Sequence, residues 1–322
     1  VLNNGHISDF FPVKMGVRQC CPLSPHLVII CLEPLSYNIE KNSLIKGIKI
    51  AETELKQTLF ADDGTFITDG SKTSFEHLIK TFDNFEAISG LRLNSKKCNI
   101  LRTGHNYKND IRFMDDRNFN WESDKAKALG IVFRNTNEYI LKDNIDPKLS
   151  EFSNCLKSWE HRKLGLLGKI TVIKSLALPK LVYPLTVLPI PPTNICESIK
   201  NMCFKFIWNN KTDRIKRKTL CQNYEKGGLK MTDIDKFNDS LKAGWVKRLF
   251  DENNKGTWKI IYENKLKTFG GKLILECNLT STEISRMFKN NVFLKEVFSA
   301  WFRIHRCETL LIKNEIIWNN RF

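Results

Sequence analysis

Gln57-Thr58-Leu59-Phe60-Ala61-Asp62-Asp63-Gly64-Thr65-Phe66-Ile67-Thr68 is the stretch on which the reading of this chain turns. Two β-prone runs flank an Asp-Asp-Gly, a strong signal for a hairpin. Two carboxylates on such a turn can hold a divalent cation beside a phosphate. Mg2+ (or Mn2+) takes oxygen ligands and shares its shell with substrate phosphates. A pair of such ions about 4 Å apart activates a 3′-hydroxyl and neutralises a leaving pyrophosphate. Alone, Asp-Asp-Gly has a plainer reading, because Asp and Gly are favoured in ordinary turns.

The flanks extend the pattern. Upstream, Ser24 suits a helix N-cap and Pro25 the first helical position. That helix would pass through Leu27, Ile30 and Cys31, with Pro34 kinking or ending its first part. Ile48 and Ile50 alternate with Lys49, as in a short strand. Downstream, Thr73 and Glu76 fit a capping box. Phe75, Leu78, Ile79, Phe82 and Phe85 recur at helical spacing, and Gly90 suits the C-terminal cap. Leu91 and Leu93 alternate as in a strand, and residues 128–133 read as another. Beyond about residue 145 helical patterns dominate, including Leu164, Leu167, Ile170, Ile173 and Leu176. Pro179, Pro184, Pro189, Pro191 and Pro192 punctuate a linker-like stretch. A helix resumes over 194–208, and Ile284 to Trp318 is aromatic and mostly helical in pattern. The expected fold class is α+β.

The chain has 322 residues, 42% of them hydrophobic, enough for one large core or several smaller ones. No apolar run has the length of a membrane span, so no membrane partner is expected. Lys and Arg number 51 against 35 acidic residues, a formal charge of +16. That surplus favours a polyanion, nucleic acid before an anionic membrane surface. The ten cysteines include adjacent Cys20 and Cys21 but no Cys-x-x-Cys, so no zinc site is expected. Scattered thiols suit a reducing compartment and small core positions. Val1-Leu2-Asn3-Asn4 has neither an initiator Met nor a signal-peptide pattern, so the chain is expected to begin inside a longer protein.

Three ordered motifs give the Asp pair its context: Gly16-Val17-Arg18-Gln19-Cys20-Cys21-Pro22-Leu23-Ser24-Pro25, then Phe60-Ala61-Asp62-Asp63, then Ser89-Gly90-Leu91-Arg92-Leu93-Asn94-Ser95-Lys96-Lys97. Together they resemble successive palm motifs of reverse transcriptases, most closely those of LINE-type (non-LTR) retrotransposons. Leu32-Glu33-Pro34-Leu35 and Ala128-Leu129-Gly130-Ile131 are similar to that family too, the latter to its primer grip (Leu129, Gly130). Trp159 to Tyr183, with Leu167-Gly168-Lys169-Ile170, resembles the thumb. Phe206-Ile207-Trp208-Asn209, Gly227-Gly228-Leu229 and Ile317-Trp318-Asn319-Asn320 resemble pieces of the post-thumb region.

The resemblance implies a truncated right-hand polymerase palm over 1–135, an antiparallel sheet packed on helices. A helical thumb over 136–192 and a helical, basic region over 193–322 would follow. It implies RNA-directed DNA synthesis on an RNA template from a DNA primer and dNTPs, inside the cell, in cytoplasm and nucleus. Asp62 would be a metal ligand and Asp63 its supporting neighbour. Arg18, Gln19, Cys20, Pro22 and Ser24 lie in the motif that shapes the nucleotide and template pocket. Lys97 matches the lysine of the family's Asn-x-x-Lys and would neutralise or protonate the leaving pyrophosphate; Lys96 reads as a surface residue. Phe60 is expected to pack internally.

Two departures from the family pattern matter. Cys20 stands where the family has Gly, and a β-carbon obstructs angles and approaches that Gly allows. A further catalytic Asp belongs on a strand before Arg18, where Asp9 is the lone acid and reads as a surface residue. The chain by itself is therefore expected to lack polymerase activity. A non-catalytic nucleic-acid-binding remnant of a degenerate element is the alternative. Finally, Lys211, Arg214, Lys216, Arg217 and Lys218 follow Phe206 and Trp208, a basic run beside aromatics that suits nucleic acid or a solvated loop beside core residues.

Overall fold

The computed structural model describes residues 2–9, 12, 16–18, 20–61, 63–104, 112–114, 117–121, 124–135, 139–189 and 192–309, with only the backbone described for 2, 3, 192–194 and 305–309. They fall into two compact units, Val1–Leu129 and Gly130–Phe322. The architecture is α+β, with small antiparallel ribbons among helices.

In the first unit β1 (Leu2–Asn3) pairs with β2 (His6–Ile7), α1 (Ser24–Lys41) follows, and β3 (Ile48–Ile50) pairs with β4 (Thr53–Leu55). β5 (Gln57–Phe60) then pairs with β6 (Asp63–Phe66), followed by α2 (Lys72–Ser89) and β7 (Lys125–Ala128). The core holds Leu35 and Ile39 of α1, Leu78 and Phe85 of α2, and Ile45, with Phe66 and Phe82 against it. Phe75 faces a second cluster with Phe113, Phe119 and Trp121.

Several local expectations are corrected. Helix α1 is capped at Leu23, begins at Ser24 and runs unbroken through Pro34. Pro34 is exposed, and burial of Leu35 and Ile39 just beyond it offsets the lost hydrogen bond. The cap of α2 is Ser71, whose hydroxyl accepts from the Ser74 N–H at 3.2 Å, so no box forms at Thr73 and Glu76. Gly90 does end α2 in the left-handed conformation, at φ 71°. Residues 91–94 are not a strand; they lead into a 3-10 turn over Ser95–Lys97.

The second unit holds β8 (Ile131–Arg134), α3 (Ile140–Glu160), α4 (Leu166–Val172), a π-helical turn Ile173–Ala177, α5 (Pro179–Val187) and α6 (Pro192–Ile207). After these come α7 (Arg217–Leu220), α8 (Ile234–Phe250), α9 (Trp258–Lys267), α10 (Ser281–Met287) and α11 (Val292–Thr309). Residues 128–133 are thus not one strand, because Leu129 and Gly130 turn the chain at φ 48° and 80°. From Pro179 to Val187 the proline-rich stretch is a helix and not a linker. Pro179 sits in a first turn, where its missing N–H costs nothing. Leu181 and Leu185 behind it are buried in the core that joins α3 through α6. A second core spans α8 to α11, where Trp245, Trp258, Tyr262 and Phe293 pack edge to face or stacked. Few thiols are core residues: Cys196 and Cys203 are buried, which pushes their pKa values up to about 11 and about 12, while Cys20 and Cys31 are exposed.

Among the described residues four buried lysines recur as one device. Lys56 Nζ donates to the Glu40 and Asn42 carbonyls at the end of α1, at 3.1 and 2.8 Å. Lys169 Nζ donates to Phe206 and Ile207 at the end of α6, at 2.8 and 3.1 Å, and to the Asn209 side chain. Lys242 Nζ donates to Leu188 at the end of α5, and Lys259 Nζ to Asp251 at the end of α8. Final helix carbonyls lack intrahelical partners and carry partial negative charge, so an ammonium satisfies both needs. Burial lowers the Lys169 pKa, against the nearby Glu160. Burial likewise brings Lys242 down to about 8, against the Glu296 carboxylate 3.5 Å away.

Lys169→Met keeps the aliphatic stem and strands the Ile207 carbonyl, while the Phe206 carbonyl keeps the Asn209 N–H at 3.4 Å. A loss of about 1–3 kcal/mol is expected in urea unfolding, the cost of one stranded buried acceptor. An unchanged midpoint would refute the capping role.

Candidate active site and nucleic-acid interface

The register of the β5–β6 hairpin places the acidic corner. Phe60 pairs with Asp63, so the strands close tightly between them, and Ala61 takes the left-handed conformation at φ 52°. Asp62 itself lies outside the described residues. Gly64 is therefore a strand residue, not the turn glycine that the sequence suggested. Its hydrogen makes room for a neighbouring ring: a Cβ there would lie 2.6 Å from the Phe66 side chain. Phe66 in turn meets Phe82 of α2 edge to face, with centroids 5.1 Å apart. Gln57, at the far end of β5, donates to the Ser36 carbonyl and hydroxyl of α1, both at 2.8 Å.

Strand alternation then decides what is presented. Leu59 leans inward, whereas Phe60 is 66% exposed, contrary to the expectation that it packs internally. Its cross-strand partner Asp63 is exposed too. The hairpin thus offers a carboxylate to solvent from an anchored base. Asp63 is the right type of donor for a hard cation. Among the described residues, however, no group of three or more His, Cys, Asp or Glu is placed to hold a metal. They do not complete a two-ion site.

Of the upstream motif, Gln19 lies outside the described residues. Arg18, Cys20 and Pro22 are exposed in the loop before α1. Ser24 is buried instead, and its hydroxyl donates to the Arg18 carbonyl at 2.5 Å, closing the loop on itself. Backbone N–H groups, that of Leu23 above all, lower the pKa of the Cys21 thiol. Lys97 is exposed on its 3-10 turn. Lys96, rather than Lys97, lines a cleft of about 670 Å³ with Asp83, Glu86, Arg92, Asn94 and Arg117. Leu129 and Gly130 occupy the turn described above.

The basic segment divides. Phe206 and Trp208 are core residues, so they present no ring to a base. Arg217 is engaged by Asp213 at 2.7 Å and Asn201 at 2.9 Å and lies over the Phe204 ring at 4.7 Å. Lys211, Arg214, Lys216 and Lys218 are exposed. Gly228, in the Gly227-Gly228-Leu229 motif, allows close approach: a Cβ there would lie 2.1 Å from the Gln222 carbonyl.

Cys20 has φ 63°. A β-carbon in that conformation costs roughly 1–2 kcal/mol, and Gly avoids it. Cys20→Gly should therefore stabilise the chain by about 1 kcal/mol in denaturant unfolding. An unchanged or lower stability would show that the loop carries no such strain.

Comparison with known proteins adds an independent line. Residues 1–133 match the family model described as reverse transcriptase (RNA-dependent DNA polymerase). The chain is 28% identical over 204 residues to the transposon TX1 uncharacterized 149 kDa protein of Xenopus laevis, an alignment covering 61% of this chain and 15% of that protein. The chain thus spans only about 15% of that relative's length. Residues 1–133, which carry the ordered motifs around the hairpin, thus match the reverse transcriptase family, and the transposon relative agrees with the resemblance of those motifs to LINE-type (non-LTR) elements.

Proposed function

We propose that this chain is part of an RNA-directed DNA polymerase that extends a DNA primer on an RNA template. The observation that carries this reading is the β5–β6 hairpin: it presents Asp63 at an anchored turn, inside the segment matched by the family. Residues 1–135 would be palm, 136–192 thumb and 193–322 a post-thumb region. The reaction is attack of the primer 3′-hydroxyl on the dNTP α-phosphate, with pyrophosphate leaving. Mg2+ or Mn2+, held by Asp62 and Asp63, would supply charge neutralisation at the reacting phosphate. Arg18, Gln19 and the Cys20–Ser24 loop would flank the nucleotide, and Lys97 would meet the pyrophosphate. Cytoplasm and nucleus are where such template RNA and target DNA are met.

The strained Cys20 favours a second reading, a binding remnant without chemistry. The two readings separate experimentally. By themselves these 322 residues should bind template–primer without extending it. With an Asp-bearing palm strand of a relative fused before residue 1, dNTP incorporation should appear. Asp62→Asn or Asp63→Asn should then lower it at least about 100-fold, the order that one electrostatic group in an active site is worth. No incorporation by the fusion, with or without Cys20→Gly, would leave the remnant reading standing. Incorporation indifferent to both aspartates would overturn the polymerase assignment of the hairpin.

A further inference from the structure

Two loops of the second unit, far apart in sequence, are fastened into one surface. Asn210 Nδ2 donates to Glu160 Oε1 at 2.6 Å, joining the loop after α6 to the last residue of α3. Beside this tie, Lys169 holds the Phe206 and Ile207 carbonyls and the Asn209 side chain, which fixes where α6 ends. Asn209 and Asn210 both adopt positive φ, 52° and 60°, a conformation Asn tolerates better than most residues, so the chain turns sharply there.

The tie juxtaposes cations. Arg162 and Lys163, just after α3, are exposed, and the Arg162 guanidinium lies 4.2 Å from the centroid of the Trp159 ring. On the other side Lys205, in the last turn of α6, and Lys211 and Arg214 of the following loop are exposed. The nearby carboxylates are already engaged, Glu160 by Asn210 and Asp213 by Arg217. What remains is exposed cations on both sides of the tie, with one guanidinium pre-oriented on an indole. The basic run 211–218 alone gave no hint of the 162–163 half.

We propose that the 160–163 loop and the 209–214 loop form a single phosphate-backbone site that grips a nucleic-acid strand across both loops. The identity of that strand as template or primer rests on the polymerase reading; the site itself rests on the charges and the Asn210–Glu160 tie. A backbone grip, rather than base readout, follows because Phe206 and Trp208 are buried and Trp159 is covered by Arg162.

The test is equilibrium binding of the full 322-residue chain to oligo-U RNA, a DNA of matched length and an RNA–DNA hybrid, from 50 to 300 mM salt. Arg162→Ala with Lys163→Ala, and Lys211→Ala with Arg214→Ala, should each weaken binding and lower the salt slope by about 1–2, in keeping with about 0.7–0.9 per phosphate contact. The quadruple variant should lose both contributions. Asn210→Ala leaves every charge in place yet should weaken binding several-fold, because the loops lose registration. Unfolding midpoints of all variants, checked in parallel, exclude loss of fold as the cause. Unchanged binding in the Arg162/Lys163 variant would overturn the proposal. So would anionic phosphatidylserine vesicles competing with equal affinity through the same residues. A fusion that fails to extend primers, with this binding intact, would sink the polymerase reading and leave the site standing.

Discussion

An ammonium group seated on the carbonyl end of a helix recurs through this protein, and its packing depends on it. Lys56, Lys169, Lys242 and Lys259 are all buried; Lys56 reaches the end of a helix from between two strands, and the other three reach the end of a helix other than their own. Moving an ammonium out of water costs several kcal/mol. Leaving final carbonyls dry and unpaired costs about 1–3 kcal/mol each. Bringing the two together cancels much of both, while apolar stems and neighbours fill the space between helices. Part of the +16 surplus therefore serves the fold. Only the exposed remainder is available to a polyanion.

The same logic of anchored ends governs the hairpin. Its base is tied to α1 through Gln57 and to α2 through Phe66, the cross-strand partner of Gln57. The strand pairing that runs from this base to Phe60 and Asp63 then sets where Asp63 is presented. An acidic corner on a loose loop would spend binding energy on ordering itself. Here the ordering comes from hydrophobic contact made elsewhere.

Much of this was readable from residue order. The hairpin, α2 with its Gly90 cap, and the helical character beyond residue 145 all follow from local periodicity and turn chemistry. The misreadings share a cause, which is tertiary context. Gly64 looked like a turn residue because Asp-Gly favours turns, but the strand register and the Phe66 ring claim it. Phe60 looked like core because it is aromatic, but alternation puts it outside. Prolines 179 and 184 looked like linker, but their neighbours Leu181 and Leu185 bury too much apolar surface to be one. The lysine caps and the Asn210–Glu160 tie join residues distant in sequence, and no local pattern announces them. Within the basic run, sequence could not separate Arg217, which is structural, from its exposed neighbours.

A cation held at residues 61–63, as proposed, can be read out directly. Iron(II) can replace Mg2+ at oxygen-rich sites, and with hydrogen peroxide it cleaves backbone close to where it is held. With template–primer and dNTP present, the chain should be cut between residues 60 and 65, the cut should fade as Mg2+ is added, and Asp62→Asn should abolish it. Scission scattered elsewhere, or a cut at the turn that ignores both Mg2+ and Asp62→Asn, would contradict the account.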